Sequence, residues 1–301
     1  MDVRKNPRPD EVRQSASHVL FVEGQRDSID HEAMRTFLGD LVRVEPLGSS
    51  FYLENAARAL QEFHPTYYFL IDRDHHDDAR VAASWARFPD PATHNLLIWP
   101  QRELENYFII PEYLLRSKHL VKTEDELRSC IRDECQKRLY LDVANQVITE
   151  CRGLLARNWI THFDKPAAYP TREATLAALR ERPEFSSQRE AFTTCSHPDT
   201  LAERFLSHLE EWTGGRDPLE FGHGSWLARI SGKEVMAPVI SRCFRVANAA
   251  GEILQGRPRE LQLARELLQR PLADQPSDLQ QLRTLIETRV RGAPRTPSDP
   301  G

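Results

Sequence analysis

Two short strings hold the acidic side chains best placed for chemistry: Phe21-Val22-Glu23-Gly24 and Phe69-Leu70-Ile71-Asp72-Arg73-Asp74. Each is an apolar, strand-forming run that stops at a carboxylate. Continuous apolar runs of this kind suit strands buried on both faces, as in a parallel sheet covered by helices. In such sheets the ligand crevice lies outside the carboxyl ends of the strands. If the two strands are neighbours, Glu23, Asp72 and Asp74 converge on one edge. Uncompensated carboxylates repel one another there, and for an all-oxygen site a hard divalent cation, Mg²⁺ or Mn²⁺, is the usual remedy.

The flanking residues extend this reading. Gly24 permits a sharp strand-to-helix turn, and Asp27 stands where the next helix begins. Asp27 is a second metal ligand on one reading and an acid favoured by the helix dipole on the other. Asp72 and Asp74, two residues apart on extended backbone, would point the same way. His75-His76-Asp77-Asp78 reads as a solvated loop and helix start, because adjacent histidines point apart. In Arg102-Glu103-Leu104-Glu105-Asn106-Tyr107-Phe108, Glu105 is a further ligand candidate and Arg102 a phosphate-binding one, while Glu103 reads as part of an amphipathic turn. Ser231 and Glu234 match a capping box. Lys233 is then left at a positively polarised helix start where a phosphate would dock. The chain has no GxxxxGK[ST] string, so ATP binding of the P-loop kind is not expected.

These residues need a scaffold. The pattern predicts strands over 18–24, 42–46, 66–71 and 94–99, with the second nearer the sheet edge. It places helices over 29–41, 53–63 and 78–88, with Ser28 as an N-cap. The order βαβαβαβ implies a mainly parallel four-stranded sheet with helices on its faces, an α/β fold. Beyond Pro111 the pattern turns helical: one long or two stacked helices over 123–158, then helices over 171–182, 199–212, 233–250, 258–269 and 277–290. The expected division is an α/β domain over 1–115, a helical domain over 116–290 carrying Lys233, and a disordered tail over 291–301.

Bulk properties narrow the class. With 40% hydrophobic and 28% charged residues the 301-residue chain reads as globular and able to bury a core. No run is long enough to span a bilayer, and the N-terminal residues lack the apolar core of a secretory signal. Five cysteines without a CxxC pair argue against a disulfide framework or a structural zinc site, so the reducing cytoplasm is the expected compartment. A net charge of −5 argues mildly against a broad non-specific nucleic-acid face, although a local basic patch would not be excluded.

The motif strings resemble a TOPRIM domain of the OLD-nuclease type. Val22-Glu23-Gly24 with Asp27 resembles its first acidic motif, and Asp72-Arg73-Asp74 its DxD motif. Arg102-Glu103-Leu104-Glu105-Asn106-Tyr107 and Gly232-Lys233-Glu234 resemble elements of the family's bacterial stand-alone branch. The resemblance implies metal-dependent phosphodiester cleavage. Glu23, Asp72 and Asp74 would bind Mg²⁺ (or Mn²⁺), Asp27 and Glu105 would complete one or two metal positions, and Lys233 would stabilise charge on the phosphate. It also implies a nucleic-acid substrate (tRNA or DNA), an ABC-type ATPase partner that restrains the chain, and a homodimeric active state. The alternatives are another TOPRIM chemistry, such as primase-like activity, and a non-catalytic regulatory protein whose acidic edge holds a cation or a partner.

Overall fold

The computed structural model describes residues 18–26, 28–60, 63–74, 76–88, 95–156, 171, 175–177, 181 and 183–292. Strand β1 (Val19–Val22) is followed by helix α1 (Ile29–Leu38), β2 (Arg43–Pro46), α2 (Ser50–Leu60), β3 (Tyr67–Ile71), α3 (Asp78–Arg87) and β4 (Leu96–Ile98). The strands form one sheet in the order β2-β1-β3-β4, parallel throughout. The α/β expectation therefore holds, β2 lies at an edge, and the two acid-terminated strands are direct neighbours. Their register pairs Phe21 with Phe69 and Val22 with Leu70, so Glu23 and Asp72 leave the sheet side by side.

The apolar runs are buried on both faces. Phe69, Ile71, Leu96 and Ile98 pack with Leu53 of α2 and Val81 of α3. Tyr68 and Leu70, on alternate positions of β3, are equally inaccessible, as is Met34 of α1. Each such side chain contributes about 1.5–3 kcal/mol on burial, which makes a register slip prohibitive. Ser28 caps α1 by accepting from His31 N at 3.1 Å.

After β4 come a 3₁₀ segment (Leu104–Ile109), a helical turn (Pro111–Leu114) and helix α4 (Glu124–Ala156), a single long helix. Then follow α5 (Pro183–Cys195), α6 (Pro198–Thr213), the turn Trp226–Arg229, α7 (Gly232–Cys243), α8 (Gly256–Leu268) and α9 (Ser277–Gly292). No helix among the described residues is long and apolar enough to cross a membrane.

The compact units differ from the expected division at residue 115. One comprises residues 1–135 with 230–301, the other 136–229. The reason is that α7, α8 and α9 bury their apolar faces within the first unit: Val235, Val239, Ile240, Leu263, Leu267, Leu282 and Ile286 are inaccessible. Charge contacts add to this. Arg265 on α8 holds Glu32 of α1 at 2.6 Å, and Arg283 on α9 grips Asp40 with both guanidinium nitrogens, at 3.1 and 2.5 Å. Helix α7 stops at Cys243 rather than near 250, because Leu120 pairs with Phe244 and Ala247 with Ile253 as isolated bridges. The second unit holds the remainder of α4 with α5 and α6. In it Trp212 and Trp226 are buried and His208 Nε2 meets Glu150 at 2.8 Å. Helix α5 has no counterpart in the sequence expectations, since Glu184-Phe185-Ser186-Ser187-Gln188 has little helical periodicity. Most of the helix expected over 171–182 lies outside the described residues, as does the tail beyond 292; residues 291 and 292 are still helical.

Helix α7 starts in close contact with the 3₁₀ segment. A Cβ on Gly232 would lie 2.5 Å from Asn106 N and 2.7 Å from the Glu105 carbonyl carbon, both rigid backbone. Asn106 locks the seam: its Nδ2 donates to Ile230 O at 2.8 Å and its Oδ1 accepts from Glu103 N at 3.2 Å. Gly232→Val is therefore expected to destabilise the chain by about 1–3 kcal/mol, the usual cost of overpacking. Urea denaturation that leaves the midpoint unchanged would contradict this packing.

Candidate acidic site at the strand ends

Glu23 does structural work first. Its Oε1 accepts from Asp72 N at 2.8 Å and its Oε2 from Ser50 N at 3.0 Å. One carboxylate thus ties the end of β1 to the end of β3 and caps the start of α2. The turn that allows this needs Gly24, whose φ is +96°, and pairs Gly24 with Gly48 through reciprocal backbone hydrogen bonds of 2.7 and 3.1 Å.

Asp72 is buried beside Glu23, whereas Asp74 is exposed. The two do not share an extended backbone as expected: Asp74 turns into the left-handed region at φ +44°. It remains attached through Ser50 Oγ, which donates to its Oδ2 at 2.9 Å. Arg73 between them is a buried staple, donating to Pro100 O at 3.0 Å and Asp78 at 2.5 Å. Of the expected solvated loop and helix start, Asp77 and Asp78 are exposed, Asp77 capping α3 through Arg80 N at 2.7 Å, whereas His76 departs from the reading: it is buried with Nε2 2.9 Å from Glu54. His75 and Asp27 lie outside the described residues.

Lys233 is brought in from α7. Its Nζ lies 3.2 Å from Asp72, 3.5 Å from Glu103 and 4.0 Å from Glu105. The Lys233 side chain as a whole is 44% accessible. The capping box expected from Ser231 and Glu234 does not form: Ser231 makes no side-chain cap bond. The cap comes instead from Glu103, whose Oε1 accepts from Lys233 N at 2.6 Å and from Ser231 Oγ at 2.9 Å. Glu103 is therefore a buried positioning residue rather than part of a bland turn. Arg102 is half-buried and joins the site through its carbonyl, which accepts from Arg73 N at 3.0 Å.

Asp30 is the residue that sequence reasoning missed. It is buried in the first turn of α1 and, with Glu23, Asp72, Met34 and Trp99, lines a cleft at the strand ends. A signal existed: Asp30 stands one turn before Met34 on the apolar stripe that includes Ala33 and Phe37. A carboxylate there had to be either compensated or functional.

Proton affinities follow from this crowding. Burial raises Glu23 to about 7, with Asp74 and Asp30 adding to it against the Asp72 N–H and Lys233. Glu105 is raised to about 8 by burial and then by Asp30. Asp72 lies well above its ordinary value, through burial and then Asp30, and Asp30 itself is raised chiefly by burial. Burial alone would pull the Lys233 ammonium down, but Asp72, Glu105, Asp30 and Glu103 outweigh it and hold it charged above the usual lysine range.

The donor set is all oxygen, and Glu105 Oε2 is buried without a hydrogen-bond partner, which suits a hard cation. Among the described residues, however, no three acidic, histidine or cysteine side chains already stand as a closed ligand group; the Lys233 ammonium lies between Asp72, Glu103 and Glu105. Comparison with protein-family models and with curated proteins returns no match.

Glu23 and Glu105 bind protons more tightly folded than unfolded. Stability contributed this way is greatest below about pH 4.5 and is lost as pH rises through 7 to 8. The Lys233 contribution, which is lost only at much higher pH, is constant over this window. In EDTA the thermal midpoint is expected to fall between pH 5 and pH 8, and Glu105→Gln should flatten that fall. A midpoint that rises over the same interval in the parent chain would refute the assignment.

Proposed function

We propose that the chain is a TOPRIM-type nuclease that uses Mg²⁺ or Mn²⁺ to cleave phosphodiester bonds, with RNA such as tRNA as its substrate. In this reading it is the toxic effector of an anti-phage defence system, of the kind that AriB is in PARIS. The supporting observation is the placement of Glu23 and Asp72 at the carboxyl ends of two hydrogen-bonded parallel strands, with Lys233 Nζ 3.2 Å from Asp72. The RNA target, the restraining ABC-type ATPase and the homodimeric active state rest on the resemblance of the motif strings.

Glu23, Asp72 and Asp74 would hold the ion, with Asp30 and Glu105 as the buried acids beside them. When bound, such an ion supplies Lewis-acid activation of water and charge neutralisation at the phosphate. Lys233 brings a second positive charge, on a helix start whose dipole has the same sign. Glu103 holds that helix start in place by taking the Lys233 N–H. The apolar wall of Met34, Leu70, Trp99 and Leu104 limits water around the acids.

The ion pairs favour a second reading. Because the Lys233 ammonium already compensates Asp72 and Glu103, the acidic edge could serve a non-catalytic regulatory protein that holds a cation or a partner. The two readings separate on incubation of the purified chain with tRNA and with DNA, with and without Mg²⁺ or Mn²⁺. The nuclease reading expects cleavage that EDTA and Glu23→Ala abolish and that Lys233→Met lowers by about 10²-fold or more. Lys233→Met removes a charge that compensates Asp72, Glu103 and Glu105, so circular dichroism and the thermal midpoint of the variant are what separate lost chemistry from lost fold. Cleavage that survives EDTA or Glu23→Ala would overturn the assignment. If the isolated chain is silent, toxicity on expression that Glu23→Ala relieves supports a restrained nuclease. Mn²⁺ binding by calorimetry without cleavage or toxicity supports the second reading.

A further inference from the structure

The start of α8 carries the wrong charge for a helix N-terminus. The dipole favours anions there, yet the first turn holds Arg257 and Arg259 and no acid. Gln255, at the N-cap position, makes no side-chain cap bond. Arg259 is the sharper anomaly. It is 7% accessible, one turn before Leu263 on the buried stripe, and its Nε is buried without a hydrogen-bond partner. Among the described residues no carboxylate pairs with its guanidinium. Arg43, Arg73 and Arg270 also bury an Nε, but each meets another polar group: Glu45 at 3.4 Å, Pro100 O at 3.0 Å and Arg116 O at 2.8 Å. A buried guanidinium without an anion is costly. Because side chains tilt toward a helix N-terminus, Arg259 leans toward the exposed residues 255–258. Further along α8, Arg265 holds Glu32 of α1 at 2.6 Å, which sets the helix beside the element that carries Asp30. The Asp30 carboxyl, raised by burial, is drawn back by Lys233 and by Arg257.

We propose that the start of α8 is a phosphate site, formed by Arg259, Arg257 and the N–H groups of the first turn, that grips a backbone phosphate of the nucleic-acid strand next to the phosphate held at the strand-end acids. This rests on the nuclease reading. A phosphate fits the donors: a guanidinium presents a planar fork to two of its oxygens, and a helix start adds N–H groups and a dipole of the right sign. The need for such a site follows from the cleft itself. A chain of net charge −5 whose cleft is lined by Glu23, Asp30 and Asp72 repels a polyanion, and Lys233 is already engaged with Asp72, Glu103 and Glu105. Arg259 is a cation not committed to a protein carboxylate, so its charge is left for a ligand. The same feature lowers stability until an anion arrives.

The test is titration of a fluorescein-labelled single-stranded RNA oligonucleotide with the full chain in EDTA, which prevents metal-dependent cleavage, over a series of salt concentrations. Arg259→Met should weaken binding by roughly tenfold or more and lower the slope of log affinity against log salt by about 0.7. Inorganic phosphate should raise the thermal midpoint of the parent chain and leave that of Arg259→Met unmoved. Should Arg259→Met not fold, Arg257→Gln, at an exposed position, decides by the same loss of affinity and slope. Parent-like affinity and slope in the variant overturn the proposal, as does a parent chain that binds no RNA. Lost phosphate protection with unchanged RNA binding assigns the site to free phosphate and overturns its role on the strand. A chain that binds RNA through Arg259 yet cleaves nothing with Mg²⁺ or Mn²⁺ upholds this site and sinks the nuclease reading alone.

Discussion

Like-charge repulsion among buried acids is the constraint that the strand-end region must answer. Glu23, Asp30, Asp72 and Glu105 crowd one edge of the sheet with little access to water. Two unit charges about 4 Å apart at an effective dielectric of about 20 repel by roughly 4 kcal/mol, so such a group cannot stay fully ionised without a cation. The fold answers in part with protons, raising Glu23 to about 7 and Glu105 to about 8, and in part with the Lys233 ammonium.

Holding that ammonium in place explains much of the chain's second half. Lys233 arrives on α7, which must start hard against the 3₁₀ segment, and only a residue without a Cβ fits at 232. Glu103 caps the helix and meets the same lysine with its other oxygen, at 3.5 Å. Helices α8 and α9 then close over α1 through Arg265 and Arg283, fixing the element that carries Asp30. The helices after residue 230 are thus part of the same unit as the sheet.

Glu23 shows how structural and chemical roles coincide. A carboxylate that accepts two backbone N–H groups is held without rotamer freedom, and the same bonds couple β1, β3 and α2. Charge placed there stays in register with Asp72 whatever approaches the cleft. Asp74, on strained left-handed backbone and exposed, is the more adaptable partner.

By itself the sequence determined the strand–helix alternation, the parallel sheet and the acid-terminated strands, because apolar runs, caps and prolines act over a few neighbouring residues. It also singled out Glu23, Asp72, Glu105 and Lys233 as residues whose types implied chemistry. Only the tertiary structure decided that Asp30 joins them, that Glu103 replaces Ser231 as the cap of α7, and that residues 230–292 return to the sheet. The last two depend on contacts between residues more than a hundred positions apart, as between Glu103 and Lys233, and local patterning holds no record of which distant surface a helix will meet.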